Sequence, residues 1–499
     1  MKTIKQNIWL ILILIVNLAV VLYPTFSTSL PITQTDGLTY FGTSKMLAET
    51  GDFFAELPSY IPAKGEEATH INEFLPVPIV YMAGFIKFFG ERITINGGAL
   101  GLIFVLANFY LYFLVKKLTS KNTALIVTLL SALNFRFYFL LFGGNWANAC
   151  AMMLSIPTLY YYSEYLETNK KSSLLSVSCF LLLVAGSHTV QFLFTVFLML
   201  GLWFGMKVLK NTKIKFPEIK LEIGAKQEKT IKTVIYTLGI SIFAFLVTFI
   251  PFVLAGTRTY WVTEWINYLK AYDKVPEFWH YGVLTDGPVL IIFGLLGLLY
   301  AIHKQNWKIV GIAIPSFIII NLTNFLVPDE IWLSLFVYRY QAFHFIVLAL
   351  LSAYFAFEVT KNVPKLKKLF VVLISIGVLW QAGLVGVLMH EVEPAITEDE
   401  FAAAEYLKNT DGNFWLINNI DTDSSFRSYE WIFAYGDGDV DNAGKVLTQD
   451  ALNYDYIMVQ DIDVLTEEDS AILETKEVVF DQGIVSIYQN KGNRISGNL

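Results

Sequence analysis

The sequence predicts an all-α polytopic membrane protein of about eleven transmembrane helices, with a large first external loop and a small α/β domain after it. Three observations lead there. The chain has 499 residues of which 55% are apolar and only 16% charged, and its mean hydropathy is +0.51, too apolar for a soluble core. The apolar residues fall into runs of roughly 17 to 25, the length a helix needs to cross a hydrocarbon layer. From His390 onward the composition turns soluble, with 23 acidic against six basic residues.

The spans are expected at 8–26, 97–115, 123–142, 146–165, 172–186, 189–206, 233–255, 288–302, 309–326, 340–357 and 369–389. Lys2 and Lys5 precede the first run, which resembles a signal peptide but is too long and lacks a small-residue cleavage site, so it reads as a retained span. The stretch 76–90 is apolar but short, with Pro76 and Pro78 at its start and Gly90 at its end, the punctuation of a brief helix. Counting it as a span would place Lys116, Lys117, Lys121, Lys170, Lys171 and the lysine-rich segment 207–232 outside, against the positive-inside rule. It is therefore expected to lie flat on the outer surface. The cytoplasmic segments then hold 21 lysines and no arginine, whereas Arg92, Arg136, Arg258, Arg339, Arg427 and Arg494 fall on the outer side or at outer helix ends. Guanidinium forks bind phosphate bidentately; the alternative is that these arginines snorkel or serve packing. Cys150 and Cys179 both sit in expected spans and read as packing residues.

Two domains are expected: a transmembrane domain over 1–390, whose first external loop covers 27–96, and an extracytoplasmic α/β domain over 391–499. The tail pattern is a helix at 398–409, strands at 414–418 and 456–460, and a strand pair at 476–480 and 484–488. A net charge near −17 in the tail argues against nucleic acid and anionic lipid as its partners.

No P-loop, HExxH, GxSxG or dinucleotide fingerprint stands in a suitable context, so function is argued from placement. Asp36, in Thr35-Asp36-Gly37-Leu38, follows the first span directly and precedes a helical stretch over 37–50 that Gly51 would end. It is placed to act as a catalytic carboxylate or as that helix's N-cap. The stretch His70-Ile71-Asn72-Glu73-Phe74-Leu75-Pro76 then leads into the surface helix. Arg339, in Tyr338-Arg339-Tyr340-Gln341, opens the tenth span on the outer side, as a phosphate ligand or an interfacial arginine in an aromatic belt. His188 lies in the tight turn between the fifth and sixth spans, where it would touch a substrate or cap a helix. The aromatic residues Trp261, Trp265, Tyr268, Tyr272, Trp279 and Tyr281 suit sugar stacking or an interfacial belt.

This order of one span, a first-loop acid, short juxtamembrane helices, many further spans and an outer C-terminal domain resembles the C-type (GT-C) membrane glycosyltransferases. That superfamily includes protein O-mannosyltransferases, aminoarabinose transferases and oligosaccharyltransferase catalytic subunits. The resemblance implies transfer of a sugar from a polyprenyl-phosphate-linked donor to a glycan, lipid or protein acceptor at the outer face of the plasma membrane. It implies Asp36 as the acid acting on the acceptor, with Glu73 as a second candidate, and Arg339 against the carrier phosphate. His70, His188 and Asn145 are candidate substrate contacts. Where many relatives carry a second acid between their third and fourth spans, this chain reads Gly143-Gly144-Asn145-Trp146; an asparagine holds a sugar hydroxyl but takes no proton. The sequence names no cofactor: Asp36, His70 and Glu73 are compatible with a divalent ion, and nothing requires one. A lipid-linked glycan flippase, or a non-catalytic glycan- or lipid-binding membrane protein, is the alternative.

The span assignment predicts that a reporter fused after Leu499 is active only outside the cytoplasm and one inserted near Lys220 only inside. The opposite result at either position contradicts it.

Overall fold

A computed structural model of the chain describes residues 2–27, 35–57, 70–73, 76–208, 285–325, 331–391, 397–410, 412–418, 439–441, 454–460 and 465–490. Its helices are α1 (Lys2–Ser27), α2 (Thr35–Thr50), α3 (Pro76–Phe89), α4 (Arg92–Ile95), α5 (Gly98–Leu118), α6 (Lys121–Ala132), α7 (Phe135–Phe142), α8 (Trp146–Thr168), α9 (Lys171–Ala185), α10 (Thr189–Trp203), α11 (Pro288–His303), α12 (Trp307–Phe325), α13 (Ile331–Asn362) and α14 (Lys367–Glu391). Helix α15 (Glu398–Lys408) and strands β1 (Asn413–Asn418), β2 (Asp439–Asp441) and β3 (Tyr456–Gln460) follow, then α16 (Glu467–Leu473), β4 (Glu477–Gln482) and β5 (Val485–Gln489).

Ten of the eleven expected spans fall on helices, and the expected span 233–255 lies outside the described residues. Among the described residues six helices are long and apolar enough to cross a membrane, Asn7–Ser27, Gly98–Leu118, Lys121–Phe142, Val190–Lys207, Tyr340–Asn362 and Pro364–His390. Helices α9 and α11 and the stretch Trp307–Ile320 are apolar but shorter. The stretch expected on the surface is α3, 14 residues long, which at 1.5 Å per residue reaches about 21 Å and falls short of a hydrocarbon core.

The chain divides into two compact units. One comprises Met1–Val21, Gly101–Leu140 and Ala147–Glu391; the other comprises Leu22–Leu100, Leu141–Trp146 and Val392–Leu499. The second unit thus collects three of the segments that the span assignment puts on one side, namely the first loop, the turn after the third expected span, and the tail, whereas 187–188, 256–287 and 327–339 fall in the first unit.

In the first unit the ends of α5, α8 and α12 meet, where Glu167 pairs with Lys117 at 3.2 Å and Lys308 at 2.6 Å. Partial burial alone would raise the Glu167 pKa, but the two ammonium groups more than offset it and hold the carboxyl below its ordinary value. These are helix ends that the lysine distribution assigns to one face. Helices α10 and α12 cross where both present glycine: a Cβ on Gly311 would stand 2.6 Å from the Gly201 carbonyl oxygen, and one on Gly205 would stand 2.2 Å from that of Trp307. Close backbone approach through small residues is how helices pack where no hydrophobic effect separates them from lipid.

The third expected span is broken. Helix α6 stops at Ala132 and α7 starts at Phe135, which frees backbone groups that lipid cannot satisfy. Side chains from elsewhere in the unit supply the partners. Asn134 accepts from the Phe137 amide at 3.3 Å, capping α7, and donates through Nδ2 to the Ala342 carbonyl on α13 at 2.8 Å. The Phe135 amide donates to Gln381 Oε1 on α14 at 3.2 Å, and Gln381 Nε2 donates to the Thr285 carbonyl at 2.7 Å. Arg136 donates from Nε to Asp286 Oδ1 at 2.7 Å and from Nη2 to Thr285 Oγ1; Arg136 is 4% and Asp286 5% exposed. A second chain of polar side chains runs from Asn108 Nδ2 to Asn17 Oδ1, then from Asn17 Nδ2 to the Tyr138 hydroxyl, each at 2.9 Å, and on to the Ala132 carbonyl at 2.7 Å. It ties α1 and α5 to the same break.

In the tail, the sheet runs β2-β1-β3-β5-β4, with β1 parallel to β2 and β3, and β5 antiparallel to β3 and β4. Alternation along the strands sends Phe414, Met458, Val485 and Ile487 into one core with Ala403, Ala404 and Leu407 of α15. Trp415, Ile457 and Val459 enter another with Leu473 of α16. Helix α15 starts in a capping box: Thr397 Oγ1 accepts from the Glu400 amide at 3.2 Å, and Glu400 Oε2 from the Thr397 amide at 2.6 Å.

Breaking one side of the buried Arg136–Asp286 pair strands a charge, so Asp286→Ala is expected to cost about 3–5 kcal/mol, read as thermal unfolding in detergent. Arg136→Met with Asp286→Leu removes both charges and should unfold near the wild-type temperature. A near-neutral Asp286→Ala, or a double variant no better than it, contradicts the knot.

Candidate functional site

The loop that follows α1 is organised by α2. Leu38, Phe41, Thr43 and Ser44 of this helix are buried, the last two hydroxyls donating to the Thr39 and Tyr40 carbonyls at 2.6 Å. Tyr40, Met46 and Leu47 pack on a small core of Leu57, Ile71 and Ile79, so α2 and α3 are held together. Gly51, at φ +67°, ends the helix as its amide donates to the Leu47 carbonyl at 3.0 Å. The helix begins at Thr35, two residues ahead of the expected start. Asp36 therefore sits in its first turn rather than as a cap ahead of it, a position where the N-terminal amides favour a carboxylate. Its side chain lies outside the described residues.

His70 is exposed and forms an isolated antiparallel bridge with Glu56. Glu73 closes the single 3₁₀ turn Ile71–Glu73, its side chain outside the described residues. Asn145 is half-buried in the turn after Gly144, where φ is +81°. The neighbouring Trp146 is fully buried and donates from Nε1 to the Leu141 carbonyl at 2.7 Å. Asp36, His70, Glu73 and Asn145 thus belong to the second unit, whereas His188 and Arg339 belong to the first.

His188 N-caps α10, its Nδ1 accepting from the Gln191 amide at 3.3 Å. Arg339 lies within α13, which begins at Ile331, and directly precedes the apolar stretch Tyr340–Asn362 that is long enough to span; the helix extends more than two turns ahead of it. Its side chain lies outside the described residues, as do Arg258, Arg427, Arg494 and the aromatic residues between 261 and 281. Two other arginines have partners within the fold. Arg136 is paired with Asp286, and Arg92 donates from Nε to the Thr25 carbonyl at 3.4 Å.

Sequence reasoning missed the partners of three buried polar groups. Arg136 is enclosed, the packing role that the sequence left open; its partner Asp286 is what the sequence does not show. His344 is 5% exposed in α13 and shares a 2.9 Å hydrogen bond with Ser316. Lys45 is 1% exposed in α2 and lies 3.6 Å from Glu91. Among the described residues no group of three or more His, Cys, Asp or Glu side chains is placed to hold a metal ion.

No protein-family model matches the sequence, and no curated protein matches it. Solved structures do. The Archaeoglobus fulgidus oligosaccharyltransferase tethered with an acceptor peptide containing the NVT sequon is similar over 92% of this chain and 70% of its own, with 11% identity and a TM-score of 0.52. The archaeal oligosaccharyltransferase AglB from the same organism, in complex with an inhibitory peptide and a dolichol-phosphate, gives the same coverage and identity with a TM-score of 0.51. ArnT from Cupriavidus metallidurans in the apo state is similar over 97% of this chain and 98% of its own, again at 11% identity, with a TM-score of 0.53. At such identity the likeness is one of fold alone: the chain shares the polytopic fold of these oligosaccharyltransferase and ArnT structures.

Proposed function

We propose that the chain is a membrane glycosyltransferase that moves a sugar from a polyprenyl-phosphate-linked donor to an acceptor at the outer face of the plasma membrane. The observation that carries this reading is the end-to-end agreement of fold with ArnT, 97% of this chain against 98% of that one. The position of Asp36 supports it, in the first turn of the helix that follows α1. A neighbour of the same fold in complex with a dolichol-phosphate supports a polyprenyl carrier. The lysine distribution supports a cytoplasmic N-terminus, an outer first loop and an outer tail, with eleven spans in all.

In the reaction, an acceptor oxygen attacks the anomeric carbon as the bond from that carbon to the carrier's phosphate oxygen breaks, and polyprenyl phosphate leaves. Asp36 accepts the proton that the acceptor loses, or orients the attacking lone pair. Arg339 stabilises the negative charge that gathers on the departing phosphate. Glu73 and His70, on the same loop, and Asn145 in the turn before α8 are assigned to sugar and acceptor hydroxyls. The His188 ring is assigned to the donor side; its Nδ1 already serves the α10 cap, which leaves the rest of the ring for that contact. Any divalent ion would be held from the first loop, by Asp36 with His70 and Glu73.

Asp36→Asn preserves shape but takes no proton, so transfer from a panel of polyprenyl-phosphate hexoses should fall on the order of 10²-fold or more with donor binding nearly intact. Arg339→Ala should weaken productive use of the donor, with Arg339→Lys recovering part of the loss because the charge stays and the fork goes. Near-normal transfer by Asp36→Asn would remove Asp36 as the acid, and a fully active Arg339→Ala would remove the phosphate site.

A further inference from the structure

We infer that Glu91 is a positioning residue that couples the tail's sheet to the helix carrying Asp36. The inference rests on the glycosyltransferase reading for its functional consequence, and on geometry for the coupling itself. Glu91 follows Gly90, whose φ of +80° ends α3, and precedes α4 at Arg92. That sharp turn fixes the direction in which the carboxylate leaves the backbone.

One oxygen of this carboxylate, Oε1, stands 3.6 Å from the Lys45 ammonium of α2 and 3.6 Å from the Lys408 ammonium at the end of α15. All three residues belong to the same compact unit. Lys45 is 1% exposed and Glu91 19%, and an ammonium buried to that degree needs a charge partner. Lys45 and Asp36 share one unbroken helix, so a shift at Lys45 is carried to Asp36 as a rigid-body movement. Lys408 is equally tied to its own side: α15 is anchored by its capping box and by Ala403, Ala404 and Leu407 in the core beneath the sheet. The two lysines converge on one oxygen, and each moves with a different piece of structure.

The two contacts differ in strength. Lys408 is 42% exposed, and an ion pair of that kind contributes little by itself. Removing the Glu91 charge takes a carboxylate away from a buried ammonium, a larger perturbation. The coupling is thus graded.

Hydrogen–deuterium exchange of the full chain in detergent, followed over Thr35–Thr50, tests the link, and transfer kinetics on the same preparations test its consequence. Glu91→Gln should speed exchange there about 10-fold and lower kcat to a similar degree, with the donor KM within about 2-fold. Lys408→Met should give about 2–3-fold in both readouts, and Lys408→Arg should restore both. Unchanged exchange over Thr35–Thr50 in Glu91→Gln and Lys408→Met overturns the link. Faster exchange with unchanged kcat overturns the positioning role. If Glu91→Gln does not fold, the Lys408 pair decides, since that side chain is half-exposed and tolerates replacement. A wild-type chain without transfer activity would overturn the enzyme reading and leave exchange to decide the link.

Discussion

Hydrocarbon offers no hydrogen-bond partners, so a helix broken inside a membrane must find its partners within the protein. This chain breaks one at Leu133–Asn134, where Gln381 on α14 accepts from the Phe135 amide and the Tyr138 hydroxyl donates to the Ala132 carbonyl, while the side chains of Asn134 and Arg136 reach the Ala342 carbonyl on α13 and the Thr285–Asp286 pair ahead of α11. The consequence is architectural. Helices distant in sequence are tied at one level, and the register of α13, on which Arg339 lies, is set by Asn134 rather than by apolar packing alone. Aromatic packing closes around the knot, with Phe104 stacked on Phe137 at 3.6 Å and Phe194 edge-on to Tyr340 at 4.9 Å.

The residues assigned to chemistry stand mostly in the second unit. Asp36, His70, Glu73 and Asn145 all belong to the loop, turn and tail assembly. There the constraints are those of a soluble protein: helix caps, a small apolar core under α2 and α3, and one buried lysine answered by a carboxylate. That unit also holds α3, an apolar helix of 14 residues. Its exposed Val80, Phe88 and Phe89 suit a helix lying along a membrane surface.

What the sequence disclosed followed the reach of its signals. Run length placed ten expected spans on helices, because an apolar run of roughly 20 consecutive residues is a local property. Pro76, Pro78 and Gly90 located α3 for the same reason. The strands expected in the tail match β1, β3, β4 and β5 to within two residues, whereas the three-residue β2 is too short for a local pattern to show. The break between α6 and α7 was hidden, since a hydropathy window averages Asn134 and Arg136 into their apolar neighbours. The partner of Arg136 lies 150 residues away, and no local pattern announces such a pair. The candidate site was legible as an order of elements, one span and then an acid, and illegible as geometry. Asp36 proved to belong to the first helical turn, α13 started well before Arg339, and the buried Lys45 gave no sign in an unremarkable Thr43-Ser44-Lys45 run.

The account stands or falls on whether a bond is broken. Purified protein reconstituted in vesicles with a polyprenyl-phosphate-linked sugar, labelled in both sugar and lipid, separates transfer from transport in one experiment. The account predicts that the two labels part, with free polyprenyl phosphate formed in step with glycosylated acceptor. Movement of the intact lipid-linked sugar from one leaflet to the other, with the labels still joined, would contradict it.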